Sequence, residues 1–166
     1  MSERTRLVVV CGLPGTGKTT VARTVGERLG ATLLRTDVVR KDLFPEPLYA
    51  DAETRATYDA VFERASDALD RGRPVVLDGT FRRAPLRRRA RALAAGADAA
   101  FDLVRVTCAE DVVRERIAAR EGDESDADFE VHRLLRAEFE RPAIDHHVVD
   151  NSGTEAETRR QVESLL

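Results

Sequence analysis

The chain has 166 residues, 42% of them apolar and 34% charged, a composition suited to a globular core and unlike that of a disordered chain. Its formal net charge of −3 excludes a general nucleic-acid coat, which needs an excess of Lys and Arg for its many phosphate contacts. No apolar run nears the roughly 20 residues of a membrane span. The start MSERTRLVVV lacks the length and cleavage pattern of a secretory signal, so a cytoplasmic location without a membrane partner is expected.

The first apolar run, LVVVC (7–11), reads as a buried strand, and Val21, Ala22, Val25 and Leu29 then mark one face of a helix. Between them lies GLPGTGKTT (12–20), in which Gly12, Gly17, Lys18 and Thr19 satisfy G-x-x-x-x-G-K-[ST]. In such a loop, glycines let backbone amides converge on a phosphate, the lysine neutralises β- and γ-oxygens, and the hydroxyl after it can hold Mg²⁺. The helix that follows points its positive end at the anion. Gly12, Pro14, Gly15, Thr16, Gly17, Lys18, Thr19 and Thr20 are therefore expected around the triphosphate of ATP, with Thr19 on Mg²⁺. Of 27 basic residues only Lys18 and Lys41 are lysine, which makes a lysine at this motif position stand out.

A second strand, TLLR (32–35), leads into RTDVVRKDLF (35–44), with Asp37 at the strand end and Arg40 one helical turn later. Beside an acceptor hydroxyl, a carboxylate can orient and deprotonate it while an arginine holds the acceptor's polar or anionic groups. Thr36 or Asp37 equally fits the N-cap of a short helix. Tyr58, Val61, Phe62, Ala65 and Leu69 mark the next helix, before the strand PVVLD (74–78). Asp78 ends that strand, where ligands of open α/β sheets bind, and so is a second candidate for Mg²⁺.

In FRRAPLRRRARAL (81–93), Leu86, Ala90 and Leu93 would face inward and Arg87, Arg88 and Arg91 mostly outward. Arg82 and Arg83, nearest the strand end, are candidates for an anionic acceptor. No aromatic residues interleave these arginines to stack bases, so a nucleic-acid end is not the favoured acceptor.

FDLVRV (101–106) and HHVVD (146–150) read as the last two strands, with a helix at Val112, Val113 and Ile117 between them. Thr107 with Glu110, Ser125 with Asp128 and Thr154 with Glu157 have capping-box spacing. Cys11 and Cys108 read as core thiols, and the three histidines have no zinc-ligand spacing. The alternation of strands and helices predicts an α/β chain, one domain over 1–166, with a five-stranded parallel sheet covered on both faces.

GLPGTGKTT, LLRTDVVRKDLF, ATYDAVFERASDALDRGRPVVLDGTFRR and RERIAAREGDESDAD together resemble the P-loop kinases that include phage polynucleotide kinase, zeta toxins and chloramphenicol phosphotransferase, and small kinases often labelled AAA-family ATPases. The resemblance implies a P-loop NTPase fold with a helical lid at about 116–140. It implies that Asp37 is the catalytic carboxylate of the T-D-V-V-R stretch, where Thr36 replaces the commoner serine, and that Arg40 is the acceptor-side arginine. Arg116 and Arg120, four apart on one helix face, would enter the lid and approach the ATP phosphates, with Arg133 a weaker candidate. A salt-bridged solvated helix accounts for the same arginines. DNSGT (150–154) is similar to the family's adenine-side loop, although a helix cap at Thr154 explains those letters too. The expected activity is γ-phosphoryl transfer from ATP to an unidentified hydroxyl acceptor, with Lys18, Asp37 and Arg120 as the catalytic residues. The rival reading is a nucleotide-dependent switch acting on a protein partner.

Overall fold

A computed structural model describes residues 4–120 and 125–165, with side chains described at 4–119 and 129–165. Five strands form one parallel sheet: β1 (Arg6–Cys11), β2 (Thr32–Arg35), β3 (Val75–Asp78), β4 (Ala100–Thr107) and β5 (His147–Asp150), in the order β2-β3-β1-β4-β5. The helices are α1 (Lys18–Leu29), α2 (Thr36–Leu43), α3 (Asp51–Asp70), α4 (Ala84–Gly96), α5 (Glu110–Arg120), α6 (Ser125–Glu138) and α7 (Glu155–Leu165).

The strands are unbroken apolar runs because both faces are covered. Leu7, Val9, Cys11, Leu77 and Leu103 pack under α3 and α4, against residues such as Val61, Phe62 and Ala90. Val8, Val10, Val76, Val104 and Val106 pack on the other face, under Val21 and Val25 of α1 and Val162 of α7. Because β1 lies between β3 and β4, the chain leaves it in one direction to build β2 and β3 and then returns across it to β4. That reversal opens the crevice at the carboxyl ends of the strands, where the loop after β1 sits. Among the described residues no helix is long and apolar enough to cross a membrane.

The five predicted strands lie where expected, with ends shifted by a residue or so. Thr154 caps α7, its hydroxyl accepting from the Glu157 amide at 3.2 Å. Thr107 does not cap α5: it is the last residue of β4, and α5 starts at Glu110. The Ser125 and Asp128 side chains lie outside the described ones. Arg87 corrects a second expectation. It is 2% exposed rather than outward, while Arg88 and Arg91 are exposed as expected. Cys11 is buried, but Cys108 only half so.

Helices α5 and α6 pack on one another around Val113, Ile117 and Phe129. The lid expected at 116–140 takes in the end of α5 and the whole of α6.

Candidate active site

The loop 12–17 is shaped by its glycines and clamped from outside. Gly15 and Gly17 have φ of 84° and 80°, the left-handed region in which a side chain is strained. At Gly17 a Cβ would also run into Asn151 Nδ2, and at Gly12 it would lie 2.7 Å from the Val106 carbonyl oxygen. The buried Asn151 side chain donates to the Thr16 carbonyl at 2.8 Å and accepts from the Thr158 hydroxyl at 2.6 Å. From α6, buried His132 donates through Nδ1 to the Pro14 carbonyl at 2.7 Å. Arg116 donates to Cys108 Sγ and to the Gly153 carbonyl, each at 3.4 Å, so its guanidinium lies beside Gly17. The loop thus cannot drift away from the start of α1, which begins at Lys18. Lys18 itself makes no hydrogen bond or ion pair among the described residues, so its ammonium is uncommitted.

Inside the crevice, the Thr19 hydroxyl donates to Asp78 Oδ2 at 2.8 Å. Asp78 ends β3 and is 4% exposed, and its Cα is in register with Val10 of β1 and Arg35 of β2. Register neighbours point to the same face, and Arg35 accordingly places Nε 3.4 Å from Asp78 Oδ2 and Nη2 3.4 Å from Thr19 Oγ1. A carboxylate buried beside a hydroxyl is the hard-oxygen donor set that suits Mg²⁺. The charge that ion would meet is at present matched by Arg35.

Arg35 also lines a cavity of about 260 Å³ with Asp37, Arg40, Lys41 and Tyr49. Asp37 lies in the first turn of α2, exposed and with no hydrogen bond or ion pair among the described residues. The N-cap of α2 is Arg35, without a side-chain cap, so neither Thr36 nor Asp37 serves in that role. Arg40 is committed. Its guanidinium is 2.8 Å from Glu53 Oε1, donates to the Thr54 hydroxyl at 3.1 Å and lies 5.0 Å over the Tyr49 ring. Glu53 in turn accepts from the Leu48 and Tyr49 amides, which fixes the cavity's outer loop. Burial alone would raise the Glu53 carboxyl, but the Leu48 amide, Arg40 and the Tyr49 amide hold it below the ordinary Glu value.

The segment after Asp78 is braced around Phe81, whose φ of 40° is unusual for a bulky residue. Its amide donates to the Tyr58 hydroxyl at 3.2 Å and its carbonyl accepts from Arg87 Nε at 2.6 Å. Tyr58 packs edge-on against the Phe81 ring, with centroids 5.1 Å apart. Arg87 Nη1 and Nη2 are buried with no hydrogen-bond partner among the described residues, and burial pulls the guanidinium's pKa down. Arg82 is paired with Glu138 of α6 at 2.7 Å, and Arg83 is an exposed residue at the N-cap of α4.

The AAA domain family model (AAA_33) matches residues 7–142 and so takes in the P-loop, Asp37, Asp78 and both α5 and α6. The chain belongs to this family. An uncharacterized protein of Mycobacterium tuberculosis (strain ATCC 25618 / H37Rv) is 40% identical over 144 residues, a match covering 80% of this chain and 29% of that protein. A UPF0200 protein of Aeropyrum pernix is 37% identical over 91 residues, or 48% of this chain and 49% of that protein. Solved structures share the fold at lower identity. A gluconokinase from Sinorhizobium meliloti 1021 superposes with a TM-score of 0.74 at 23% identity, over 98% of this chain and 92% of that one. The Mycobacterium tuberculosis APS kinase CysC in complex with AMPPNP and APS gives 0.73 at 21%, over 99% and 98%. Chaetomium thermophilum Kti12 in complex with ADP-AlF3 gives 0.72 at 21%, over 96% of each chain. The chain has a P-loop NTPase fold with kinase neighbours.

Within this family fold, the predicted residues divide. Gly12, Pro14, Gly15, Thr16, Gly17, Lys18, Thr19 and Thr20 form the loop and the first turn of α1, and Arg116 closes on the loop from α5. Arg120 ends α5, but its side chain lies outside the described ones. Arg133 points to Glu110 and Glu130, each at 3.8 Å, as a solvated salt bridge would. Asp37 and Arg40 share one cavity, whereas Arg82 and Arg83 do not line it. Sequence reasoning missed Arg35, Tyr58 and the clamping roles of His132 and Asn151. The letters offered a signal only for Arg35, a charge closing the strand run TLLR.

Proposed function

We propose that the chain is an ATP-dependent kinase that transfers the γ-phosphoryl group to a hydroxyl acceptor held in the cavity beside Asp37. The observation that carries this reading is Arg35, which touches Thr19 and Asp78 with its guanidinium and also lines the cavity holding the unpaired carboxylate of Asp37. Donor and acceptor sides are therefore one residue apart.

In the reaction so drawn, the acceptor oxygen attacks the γ-phosphorus while the bond from that phosphorus to the β–γ bridging oxygen breaks, and ADP leaves with the bond's electrons. Asp37 takes the proton of the acceptor hydroxyl. Lys18 neutralises the β- and γ-oxygens, and the loop amides hold the β-phosphate. Thr19 and Asp78 would hold Mg²⁺, which when bound neutralises phosphate charge. Arg116, beside Gly17, adds positive charge at the loop, and Arg120 follows it by one helical turn. Arg40 braces the acceptor cavity through Glu53.

The test separates donor from acceptor. Asp37→Asn should bind AMPPNP as the parent does, yet lose about 100-fold or more in transfer from γ-labelled ATP to a pool of sugars, nucleosides and oligonucleotide ends. Lys18→Ala should lose AMPPNP affinity itself. Transfer that persists in Asp37→Asn would sink the base assignment, and hydrolysis without any acceptor, unchanged by Asp37→Asn, would make the chain a switch.

A further inference from the structure

A second cavity, of about 270 Å³, lies on the other flank of the P-loop, between Gly12, Leu13 and Thr16, the carboxyl end of β4 and the last turn of α6. Lys18, Thr19 and Asp78 do not line it, so it shares the wall formed by Gly12, Leu13 and Thr16 with the phosphate loop but not the lysine, hydroxyl and carboxylate on the loop's other side. Arg105, Arg136, Arg141 and His132 do, and no acidic side chain joins them among the described residues. Acids outnumber bases in the chain by 30 to 27, so this is a local concentration rather than a general bias.

Two of these side chains are already committed. Arg136 reaches Glu110 at 3.3 Å, and His132 holds the Pro14 carbonyl. Arg105 and Arg141 make no ion pair among the described residues. Arg105 is half-buried on β4, in register with Cys11, and its guanidinium lies 5.4 Å from the Phe139 ring. Arg87 lies 4.8 Å from the same ring, 2% exposed and with both terminal nitrogens unpartnered. Two guanidiniums therefore share one aromatic ring at the wall of the cavity. Arg87 does not line the cavity and has the Glu140 carboxylate in its field. Arg105 lines it half-buried and without an ion pair among the described residues, a partly desolvated charge whose cost a bound anion would offset through charge-assisted hydrogen bonds.

We propose that this cavity is an anion pocket, in which Arg105 and Arg141 take the phosphate or carboxylate group of a small metabolite. Its volume, at the small end for ligand sites, suits a group of that size rather than a nucleotide. The pocket goes beyond the kinase reading and stands without it. Because the hydroxyl acceptor is placed beside Asp37, in a cavity that shares no residue with this one, the anion bound here is a regulatory one, and the test tells it from a transferred substrate.

Glucose 6-phosphate and glucose are titrated calorimetrically into the chain saturated with AMPPNP and Mg²⁺, so that the P-loop is occupied. If AMPPNP fails to bind, the kinase reading falls, and the same titration into Lys18→Ala still tests the pocket. The expected result is saturable binding of glucose 6-phosphate, one per chain, and none of glucose. Arg105→Gln and Arg141→Gln should each weaken it about tenfold, the equivalent of one charge-assisted hydrogen bond, with AMPPNP affinity unchanged. Arg141 is exposed, so its variant reports even if Arg105→Gln fails to fold. With ATP present, a changed rate of ATP hydrolysis without consumption of the sugar phosphate is expected, and its consumption as an acceptor would overturn the regulatory reading. Equal binding of glucose and glucose 6-phosphate, or glucose 6-phosphate affinity untouched by Arg141→Gln, would overturn the proposal.

Discussion

Replacing Asn151 by alanine tests whether the P-loop is held in shape from the far end of the chain. The side chain is 7% exposed and makes two hydrogen bonds, donating to the Thr16 carbonyl and accepting from the Thr158 hydroxyl. Alanine leaves the Thr16 carbonyl without its donor, at a cost of about 1–3 kcal/mol for a buried group left unpaired. Thr158 loses less, because its hydroxyl can turn to the Thr154 carbonyl at 3.3 Å. The expected total is therefore about 2–4 kcal/mol, a large part of the roughly 5–15 kcal/mol that holds a typical domain folded. Urea denaturation read by circular dichroism should show it as a lower midpoint with an unchanged slope. Asn151→Asp sharpens the case: it keeps the acceptor for Thr158 but turns a carboxylate oxygen toward the Thr16 carbonyl, and should be no more stable than alanine at pH 7. Thr158→Val should cost about 1 kcal/mol and couple to Asn151→Ala in a double-mutant cycle. A loss below about 0.5 kcal/mol in Asn151→Ala, within the range of ordinary surface substitutions, would refute the clamp. So would an Asn151→Asp chain as stable as the parent.

Tyr58→Phe should cost about 1–3 kcal/mol in the same urea assay, because the ring packing is kept while the Phe81 amide loses its buried acceptor; no change would mean that water replaces the hydroxyl. Because the folded Glu53 carboxyl titrates below its ordinary value, the stability it contributes is present in full above its unfolded pKa of about 4.3 and is lost as pH falls through the lower folded one. The stability difference between the parent and Glu53→Gln should therefore shrink on acidification from pH 7 to 3, and a constant difference would contradict this. Burial raises both thiols, Cys11 to about 11, but Cys108 is only half-buried, so at pH 8 a thiol-reactive dye should label Cys108 alone in the folded chain, more slowly than a free thiol, and both cysteines in urea. Two rapidly labelled thiols in the folded state would count against the buried strand end.

Much of this molecule is written in short stretches of sequence. A strand buried on both faces must be a continuous apolar run, so LVVVC and PVVLD were readable as central strands, and β1 and β3 are adjacent in the sheet. The P-loop was equally plain, because the constraint that puts glycine at 15 and 17 acts on the residue's own backbone. The pairing of Thr19 with Asp78, 59 residues away, could be expected only because the strand end and the helix start each announce themselves locally. What the letters alone could not give were contacts between residues far apart in the chain and the burial that follows from them. Arg87 sits among six arginines of one stretch, and nothing local separates it from Arg88; it is buried because Phe81 turns its carbonyl inward and Phe139, from beyond α6, covers the guanidinium. Arg40 matches the position of an acceptor arginine, yet Glu53 of α3 claims it. Asn151 passes for part of a helix cap until β5 carries it to Thr16, 135 residues away. Local sequence thus determined the sheet and the phosphate loop, since backbone geometry and apolar periodicity act over a few residues. Only the tertiary structure decided which of many arginines are paired, buried or left facing a cavity, because a charge's state is set by whichever distant groups the fold brings beside it.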